Sequence, residues 1–265
     1  GRGEPDETWP AFLATVAEHR DELRELVHNP VQTNEVGRAR ALACGLLLLA
    51  RETGMPLRLL ELGSSAGLNL RWDSFGYRSG SFSFGDPNSP VGFRDFLEGD
   101  PPPAPPERVE IAGRAGCDPR PVDVNDPDGV LTLRSYVWPD QLERLHLLDA
   151  ALALAVTVPV ELEAAGAADW LERRLGASVP GACTVVFHSI VMQYVDDAER
   201  GRINRVIAAA GARASEAAPL AHLALEPGGE HAELRLTRWP GGHERLLARC
   251  GYHGSPVRWT ASPDQ

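Results

Sequence analysis

The sequence has few cysteines, no long apolar run and no cluster of basic residues, and each absence excludes a class of protein. The four cysteines stand far apart without a C-x-x-C pair, which excludes a disulfide framework and a zinc ribbon. No apolar run is long enough for a membrane span, and no signal-peptide pattern opens the sequence. The eight histidines form no H-E-x-x-H pattern and no Cys/His cluster, so no metal site is predicted. We therefore expect a reduced, cytoplasmic protein without a membrane partner.

Charge and composition narrow the class further. The formal net charge is −11 and the positive residues are scattered arginines. This pattern disfavours a nucleic acid as partner, because binding to a phosphate backbone requires clustered basic side chains. With 265 residues, 43% of them hydrophobic, the chain suffices for one large α/β domain or one domain with an added cap. We expect a small-molecule partner, and the oligomeric state stays open.

The most informative stretch is 59–70, with the sequence LLELGSSAGLNL. Its apolar beginning predicts a buried strand, its small residues predict a tight turn, and its end predicts the start of a helix, which together are typical of a nucleotide site. The dinucleotide fingerprint G-x-G-x-x-G fails at two of its three glycines. Glu61, Gly63, Ser65 and Gly67 instead match acid-x-G-x-(G/S)-x-G, which resembles motif I of class I S-adenosylmethionine-dependent methyltransferases. An ordinary βα turn is the alternative interpretation.

Strand patterns alternate with helix patterns along the chain. They predict an α/β fold with a doubly wound, mainly parallel sheet of about seven strands and helices on both faces. The predicted strands are 57–62, 109–117, 156–162, 183–187, 220–225, 233–239 and 257–259, and the predicted helices are 6–28, 35–53, 140–155, 167–175, 196–217 and 243–250. Residues 1–55 are interpreted as an N-terminal helical cap on a single domain, 56–265, with an irregular Gly-, Ser- and Pro-rich insertion at 74–108.

Ligands of such sheets bind beyond the carboxyl ends of the strands, so acids at strand ends are candidates. Asp118 follows a predicted strand and is the candidate ribose acid, because a carboxylate can accept hydrogen bonds from both ribose hydroxyls. It lies further from Glu61 than the usual spacing of about 20 residues, and the insertion accounts for the excess. Asp123 is the second candidate for this role, and an ordinary turn acid is the alternative.

Polar residues also crowd the start of the predicted helix 35–53. Thr33, Asn34, Glu35 and Arg38 are all able to form hydrogen bonds there. Helix capping explains such a cluster, since side-chain oxygens accept from the free N–H groups of a first turn. A lid over the cofactor is the alternative, because this helix start is expected to pack over the end of the first strand.

The stretch 187–194, FHSIVMQY, resembles the motif that follows the fourth strand in class I methyltransferases. His188 is a candidate general base, since histidine exchanges protons near neutral pH, and a hydrogen-bonded core histidine is the alternative. Gln193 and Tyr194 either face substrate or cap the next helix. Weaker candidates for substrate contact are Asp73, Trp138, Asp140 and Arg144, and Trp138 and Asp140 also fit an ordinary helix start.

Four motifs occur together and in order: QTNEVGR at 32–38, ELGSSAGLNL at 61–70, WPDQ at 138–141 and FHSIVMQY at 187–194. On these motifs the chain resembles an uncharacterised bacterial family, domain of unknown function 2332, over about residues 9–259, and that family resembles class I methyltransferases. The resemblance implies S-adenosylmethionine as cofactor. It implies a cofactor site of Glu61, Gly63, Ser64, Ser65, Gly67, Asn69, Asp118 and Ser189, catalytic residues His188, Glu35 and Tyr194, and substrate or lid residues Thr33, Asn34, Arg38, Asp73, Trp138, Asp140 and Gln193.

The sequence departs from the superfamily pattern at three places. Ser65 replaces the more usual middle glycine, the insertion displaces the second acid, and strand 233–239 follows Glu226 with almost no room for a helix. The expected function is binding of S-adenosylmethionine and methylation of a small molecule. The alternatives are a catalytically silent cofactor-binding or regulatory protein on the same fold and an NAD-dependent oxidoreductase.

Overall fold

A computed structural model describes residues 5–28 and 31–261, with side chains from Thr8 onward. The α-helices in this part are α1 (Pro5–Glu18), α2 (Arg20–Leu26), α3 (Ala39–Thr53), α4 (Pro127–Ser135), α5 (Leu142–Ala155), α6 (Ala167–Arg174) and α7 (Asp197–Gly211). The strands are β1 (Leu57–Leu62), β2 (Gly76–Ser79), β3 (Phe82–Phe84), β4 (Gly92–Arg94), β5 (Ile111–Asp118), β6 (Glu161–Ala164), β7 (Cys183–Ser189), β8 (Leu220–Pro227), β9 (Ala232–Trp239), β10 (His243–Cys250) and β11 (Val257–Trp259).

One large sheet organises the molecule. Its eight strands have the order β11-β10-β9-β8-β7-β1-β5-β6, and the five strands from β8 to β6 are mutually parallel. β9, β10 and β11 extend this parallel part as an antiparallel meander. The predicted α/β class with a mainly parallel sheet is confirmed, with eight strands rather than about seven.

The sheet has a buried apolar face on each side, because successive residues of a strand point to opposite faces. Leu57 and Leu59 of β1 belong to the core beneath α3, whereas Leu60 and Leu62 belong to the core beneath α6 and α7. A strand that is buried on both faces is mainly apolar, and β7 is fully buried with Val185, Val186 and Phe187 at its centre. Helices therefore cover both faces, as predicted.

The predicted helix 243–250 is wrong: this segment is β10. Its sequence HERLLARC contains good helix formers, but tertiary pairing overrides that propensity. Gly241 and Gly242, with φ of 120° and 73°, turn the chain back, and β10 then pairs antiparallel with β9. Its inward side chains Leu247, Ala248 and Cys250 are buried.

Other predicted bounds also change. The segment 6–28 forms two helices that meet at His19 instead of one, and α4 lies where no helix was predicted. The insertion 74–108 holds a second, three-stranded sheet, β3-β2-β4, around the buried aromatic residues Phe75, Tyr77 and Phe93. No helix in the described ranges is both long and apolar enough to cross a bilayer.

Candidate functional site

A cavity of about 530 Å³ opens at the carboxyl ends of β1, β5 and β7. β1 lies in the sheet between β5 and β7, so the strand order reverses there, and such switch points are where α/β sheets bind ligands. The size lies in the range of pockets for small molecules. Residues lining the cavity are Val31, Gln32, Thr33, Asn34, Arg38, Glu61, Gly63, Ser65, Asp118, Pro119, Arg120, Tyr136, Trp138, Gln141, Arg144, Ser189, Ile190, Val191, Tyr194, Val195 and His253.

The turn after β1 brings backbone to the floor of this cavity. Gly63 and Gly67 have φ of 63° and 65°, which glycine adopts without strain. A Cβ at Gly63 would lie 2.6 Å from Cγ2 of Val191, so a side chain is also excluded there by packing. Ser65 has φ of 50° and lines the cavity between the two glycines in sequence. The turn thus leaves room for a ligand against its backbone.

Asp118 ends β5 beside this turn, as expected of the candidate ribose acid. Its Oδ2 accepts from the backbone N–H of Ser65 at 3.0 Å, and its Oδ1 accepts from the backbone N–H of Arg120 at 2.8 Å. Nε2 of Gln32 donates to the same Oδ1 at 3.2 Å, and the Ser65 hydroxyl donates to Oε1 of Gln32 at 2.9 Å. Asp123, the second candidate, is exposed and accepts hydrogen bonds from Asn125 instead.

Glu61 lines the cavity from the end of β1 and is 2% exposed. Burial raises the pKa of its carboxyl group well above the ordinary value, although the positive charge of Arg71 opposes this. In the described part of the chain, its Oε2 makes no hydrogen bond. A buried oxygen without a partner is unfavourable, so this carboxyl group is available to a polar group of a ligand.

Residues 31–38 lie along the cavity. For this segment the sequence left two interpretations open, a helix cap and a cover over the cavity. Glu35 caps the 3₁₀-helix Val36–Arg38 by accepting from the backbone N–H of Gly37 at 3.1 Å. Asn34 accepts from the backbone N–H of Leu68 at 3.0 Å, while Nη1 of Arg38 donates to the carbonyl oxygen of Ser189 at 2.8 Å. Thr33, Asn34 and Arg38 line the cavity, so the segment both starts a helix and forms a wall of the site.

Glu35 lies just behind this wall and is held by two more partners. Its Oε2 accepts from Nδ1 of His253 at 2.9 Å and forms an ion pair with Nη2 of Arg144. Burial raises the pKa of Glu35, but the hydrogen bond from His253 and the charges of Arg144 and His253 outweigh it, so the pKa lies below its usual value. Glu35 is therefore ionised at neutral pH, and His253 and Arg144 both line the cavity.

His188 does not line the cavity. It is 3% exposed, with Nδ1 2.6 Å from Oε1 of Glu226 and Nε2 3.0 Å from Nε2 of His222. Burial, with the neighbouring His188, lowers the pKa of His222 to about 3. Burial raises the pKa of Glu226, but its hydrogen bonds from His188, Val191 and Met192 bring it below the usual value. The structure thus places His188 in the core network that was the alternative interpretation.

The other candidates fall into two groups. Ser189, Trp138 and Tyr194 line the cavity, and the last two are exposed aromatic residues (72% and 68%). The remaining candidates lie outside the lining: Ser64, Gly67 and Asn69 are buried in the turn region, Asp73 is paired with Arg114, and Asp140 and Gln193 are exposed.

Gln32 and His253, which the structure brings to the site, had no predicted role, and Arg144 was only a weak candidate. Gln32 stands in the QTNEVGR motif, and that position is the sequence signal that could have identified it. No local pattern marked His253 as a site residue, since it lies in a Gly-rich turn 218 residues from Glu35 in the sequence. Within the described ranges, no group of three or more His, Cys, Asp or Glu side chains is arranged to hold a metal ion.

The fold and the cavity define the class: an α/β protein with a cavity at the switch point of a mostly parallel sheet. The chain belongs to the bacterial family described as "Uncharacterized protein conserved in bacteria (DUF2332)", whose model matches residues 1–259. Neither the curated proteins nor the solved structures give a match to the chain.

Proposed function

We propose that this chain binds S-adenosylmethionine and methylates a small molecule. The observation that carries the proposal is the contact between the turn after β1 and Asp118 at the end of the neighbouring β5, with both facing one cavity. A glycine turn at one strand end and an acid at the next match the needs of a nucleoside: close backbone approach and acceptors for two ribose hydroxyls.

The residues present fit the cofactor. An ionised carboxylate offers about four acceptor positions, and Asp118 uses three of them within the chain. Ribose hydroxyls therefore add to its contacts or replace the Gln32 amide. The unpartnered Oε2 of buried Glu61 suits a polar group of the methionine part, and an ammonium group there would favour the ionised form of this carboxyl group. Gly63 lines the cavity with backbone alone, and the Val191 side chain packs where its side chain would lie.

S-adenosylmethionine, when bound, supplies an electrophilic methyl group on a sulfonium. The chain's own part is to orient the acceptor toward that group and to exclude water, and orientation alone contributes a large share of such rate enhancements. Trp138 and Tyr194, exposed at the cavity, suit an acceptor with an apolar or aromatic surface.

Calorimetric titration with S-adenosylhomocysteine tests the proposal, because this product binds without turnover. We expect saturable binding to the wild-type chain. Asp118→Ala should weaken it at least about tenfold, since a hydrogen bond to a charged group contributes about 1.5–3 kcal/mol. Asp123→Ala is the matched control, because Asp123 is exposed in the same segment, and it should leave affinity unchanged. Absence of binding, or binding of NADH in its place, would refute the proposal.

One observation favours a catalytically silent cofactor-binding protein on the same fold. Gln32, Ser65 and Asp118 already form a closed hydrogen-bond network where the ribose would lie. A silent protein would bind S-adenosylhomocysteine in the titration yet release none from S-adenosylmethionine with any acceptor tried.

A further inference from the structure

His253 and Glu35 form a hydrogen-bonded pair at the wall of the cavity. Nδ1 of His253 lies 2.9 Å from Oε2 of Glu35, and the two side chains are 57% and 4% exposed, respectively. Within the described residues, Nε2 of His253 has no hydrogen-bond partner. A buried carboxylate thus holds one edge of an open, cavity-lining imidazole and leaves the other edge free.

Close backbone contacts fix this pair. Nε of Arg38 donates to the carbonyl oxygen of Tyr252 at 3.2 Å, which docks the His253 turn on the 3₁₀-helix Val36–Arg38. A Cβ at Gly37 would lie 2.4 Å from the carbonyl oxygen of His253, and one at Gly254 would lie 2.2 Å from the carbonyl oxygen of Gly37. Only glycine permits both approaches, so the fold specifies the meeting of these two distant segments.

The charge of Glu35 sets the tautomer of His253. Glu35 also accepts from Gly37 and pairs with Arg144, and these contacts keep it ionised. An ionised carboxylate only accepts hydrogen bonds, so Nδ1 of a neutral His253 carries the proton and Nε2 keeps its lone pair. The same arrangement of carboxylate and imidazole orients a general base in other enzymes. His188 has no such free edge, because both its ring nitrogens contact other side chains.

The rest of the lining indicates the class of acceptor. Tyr136, Trp138 and Tyr194 offer aromatic surface for stacking on a planar ring. Arg38 lines the cavity as a cation with no carboxylate in salt-bridge distance among the described residues, so it is able to stabilise negative charge developing on a ligand oxygen. A phenol meets both features, and its hydroxyl holds its proton at neutral pH, which is the case in which a base is needed.

Resting on the proposed function, we propose that His253 is the base that accepts the proton of a phenolic acceptor and that Glu35 positions it. In the transfer, the phenolic oxygen bonds to the methyl carbon, and the bond from that carbon to the sulfonium sulfur breaks with its electron pair remaining on sulfur. The phenolic proton moves to Nε2 of His253, and the imidazolium that results is stabilised by ionised Glu35.

Nitrogen-15 NMR of the histidine rings in the full chain tests the pair without any turnover. We expect His253, assigned by the loss of its signals in His253→Gln, to carry its proton on Nδ1 in the wild type. Glu35→Leu, which leaves no acceptor beside Nδ1, should remove this preference, whereas His231→Gln, a change at an exposed histidine outside the lining, should preserve it. Protonation on Nε2 in the wild type, or a tautomer unaffected by Glu35→Leu, would overturn the proposal.

Transfer to two phenols tests the catalytic role. Phenol holds its proton at mildly alkaline pH, whereas 4-nitrophenol is already largely ionised there and needs no base. His253→Gln should slow transfer to phenol about 10²- to 10⁴-fold, and should slow transfer to 4-nitrophenol far less, while His231→Gln changes neither rate. Equal losses on both phenols, no loss, or no wild-type transfer to either phenol would overturn the inference. Calorimetry with S-adenosylhomocysteine separates the failures, since binding without phenol transfer refutes this inference alone and absence of binding refutes the proposed function.

Discussion

Ser65 is the residue of the turn after β1 that has a side chain at a positive φ, between Gly63 and Gly67. A φ of 50° destabilises a residue with a Cβ by about 1–2 kcal/mol. The hydrogen bond from the Ser65 hydroxyl to Gln32 offsets part of this conformational cost. We expect Ser65→Gly to stay within about 1 kcal/mol of the wild-type unfolding free energy, because the relieved strain offsets the lost bond and the extra chain entropy. Ser65→Val, β-branched at a positive φ, should lose roughly 2 kcal/mol or more. Urea unfolding measures both, and equal losses would show that φ does not decide this position.

His222 should make stability depend on pH. Its pKa is about 3 in the folded chain, against about 6.5 in an unfolded one, so the unfolded chain takes up the proton first as pH falls. The contribution of His222 is complete above about pH 6.5 and decreases by about 1.4 kcal/mol per pH unit below it, until the folded pKa is reached. Urea unfolding at about pH 7 and 5.5 should show a larger loss for wild type than for His222→Gln. Equal losses would contradict the burial of a neutral histidine.

At the scale of elements, the docking of the His253 turn on the 3₁₀-helix Val36–Arg38 can be tested by measuring stability, without any assay of activity. Gly254 and Gly181 have nearly equal φ, 81° and 82°, but a Cβ at Gly181 meets nothing within 4 Å, whereas one at Gly254 meets backbone at 2.2 Å. Alanine at either position adds the strain of a positive φ, about 1 kcal/mol. We expect Gly254→Ala to reduce the unfolding free energy by at least about 2 kcal/mol more than Gly181→Ala. A similar loss for both in urea would show that the turn is not tightly docked.

Elements differ in how far their own residues determine them. β7 was predictable because burial on both faces favours an apolar run, and β8 because Leu220, Leu223 and Leu225 supply an apolar core. β10 was not, since its helix-forming residues become a strand only when β9 supplies a pairing partner. α4 begins with a capping acid, Asp126, that accepts from the N–H of Asp128. No helix was predicted there, because the sequence Asp-Pro-Asp-Gly at 126–129 is equally typical of a turn.

At the scale of the whole molecule, the sequence predicts where a strand ends, but it does not predict which distant segments come into contact. The glycine turn and Asp118 were predictable as neighbours, because parallel strands end at one edge of the sheet. The network through Gln32 and the pair of Glu35 with His253 join segments far apart in the chain. The packing of this segment over the end of the first strand was expected, but no local pattern encodes which distant side chains it meets there.

The two N-terminal helices, α1 and α2, should contribute little to the stability of the whole molecule. In residues 8–28 every side chain is exposed except Leu23, which is half-buried, although Trp9, Phe12 and Leu13 are large and apolar. Hydrophobic stabilisation scales with the apolar area removed from water, so these helices contribute little to the free energy of unfolding. Deleting residues 1–28 should shift the midpoint of thermal unfolding by less than about 2 °C, since about 1 kcal/mol corresponds to 2–4 °C in a chain of this size.

A longer deletion is the matched control for that experiment. Removing residues 1–34 also takes away Gln32 and Asn34, whose side chains bond to Ser65, Asp118 and the backbone of Leu68. This leaves buried polar groups of the turn without partners, at roughly 1–3 kcal/mol for each group. We therefore expect a loss of several degrees only in the longer deletion. A comparable loss in the shorter one would mean that the helices pack on the body of the protein in solution, and the contribution of the cavity wall would then have to be measured by Gln32→Ala and Asn34→Ala in the full chain.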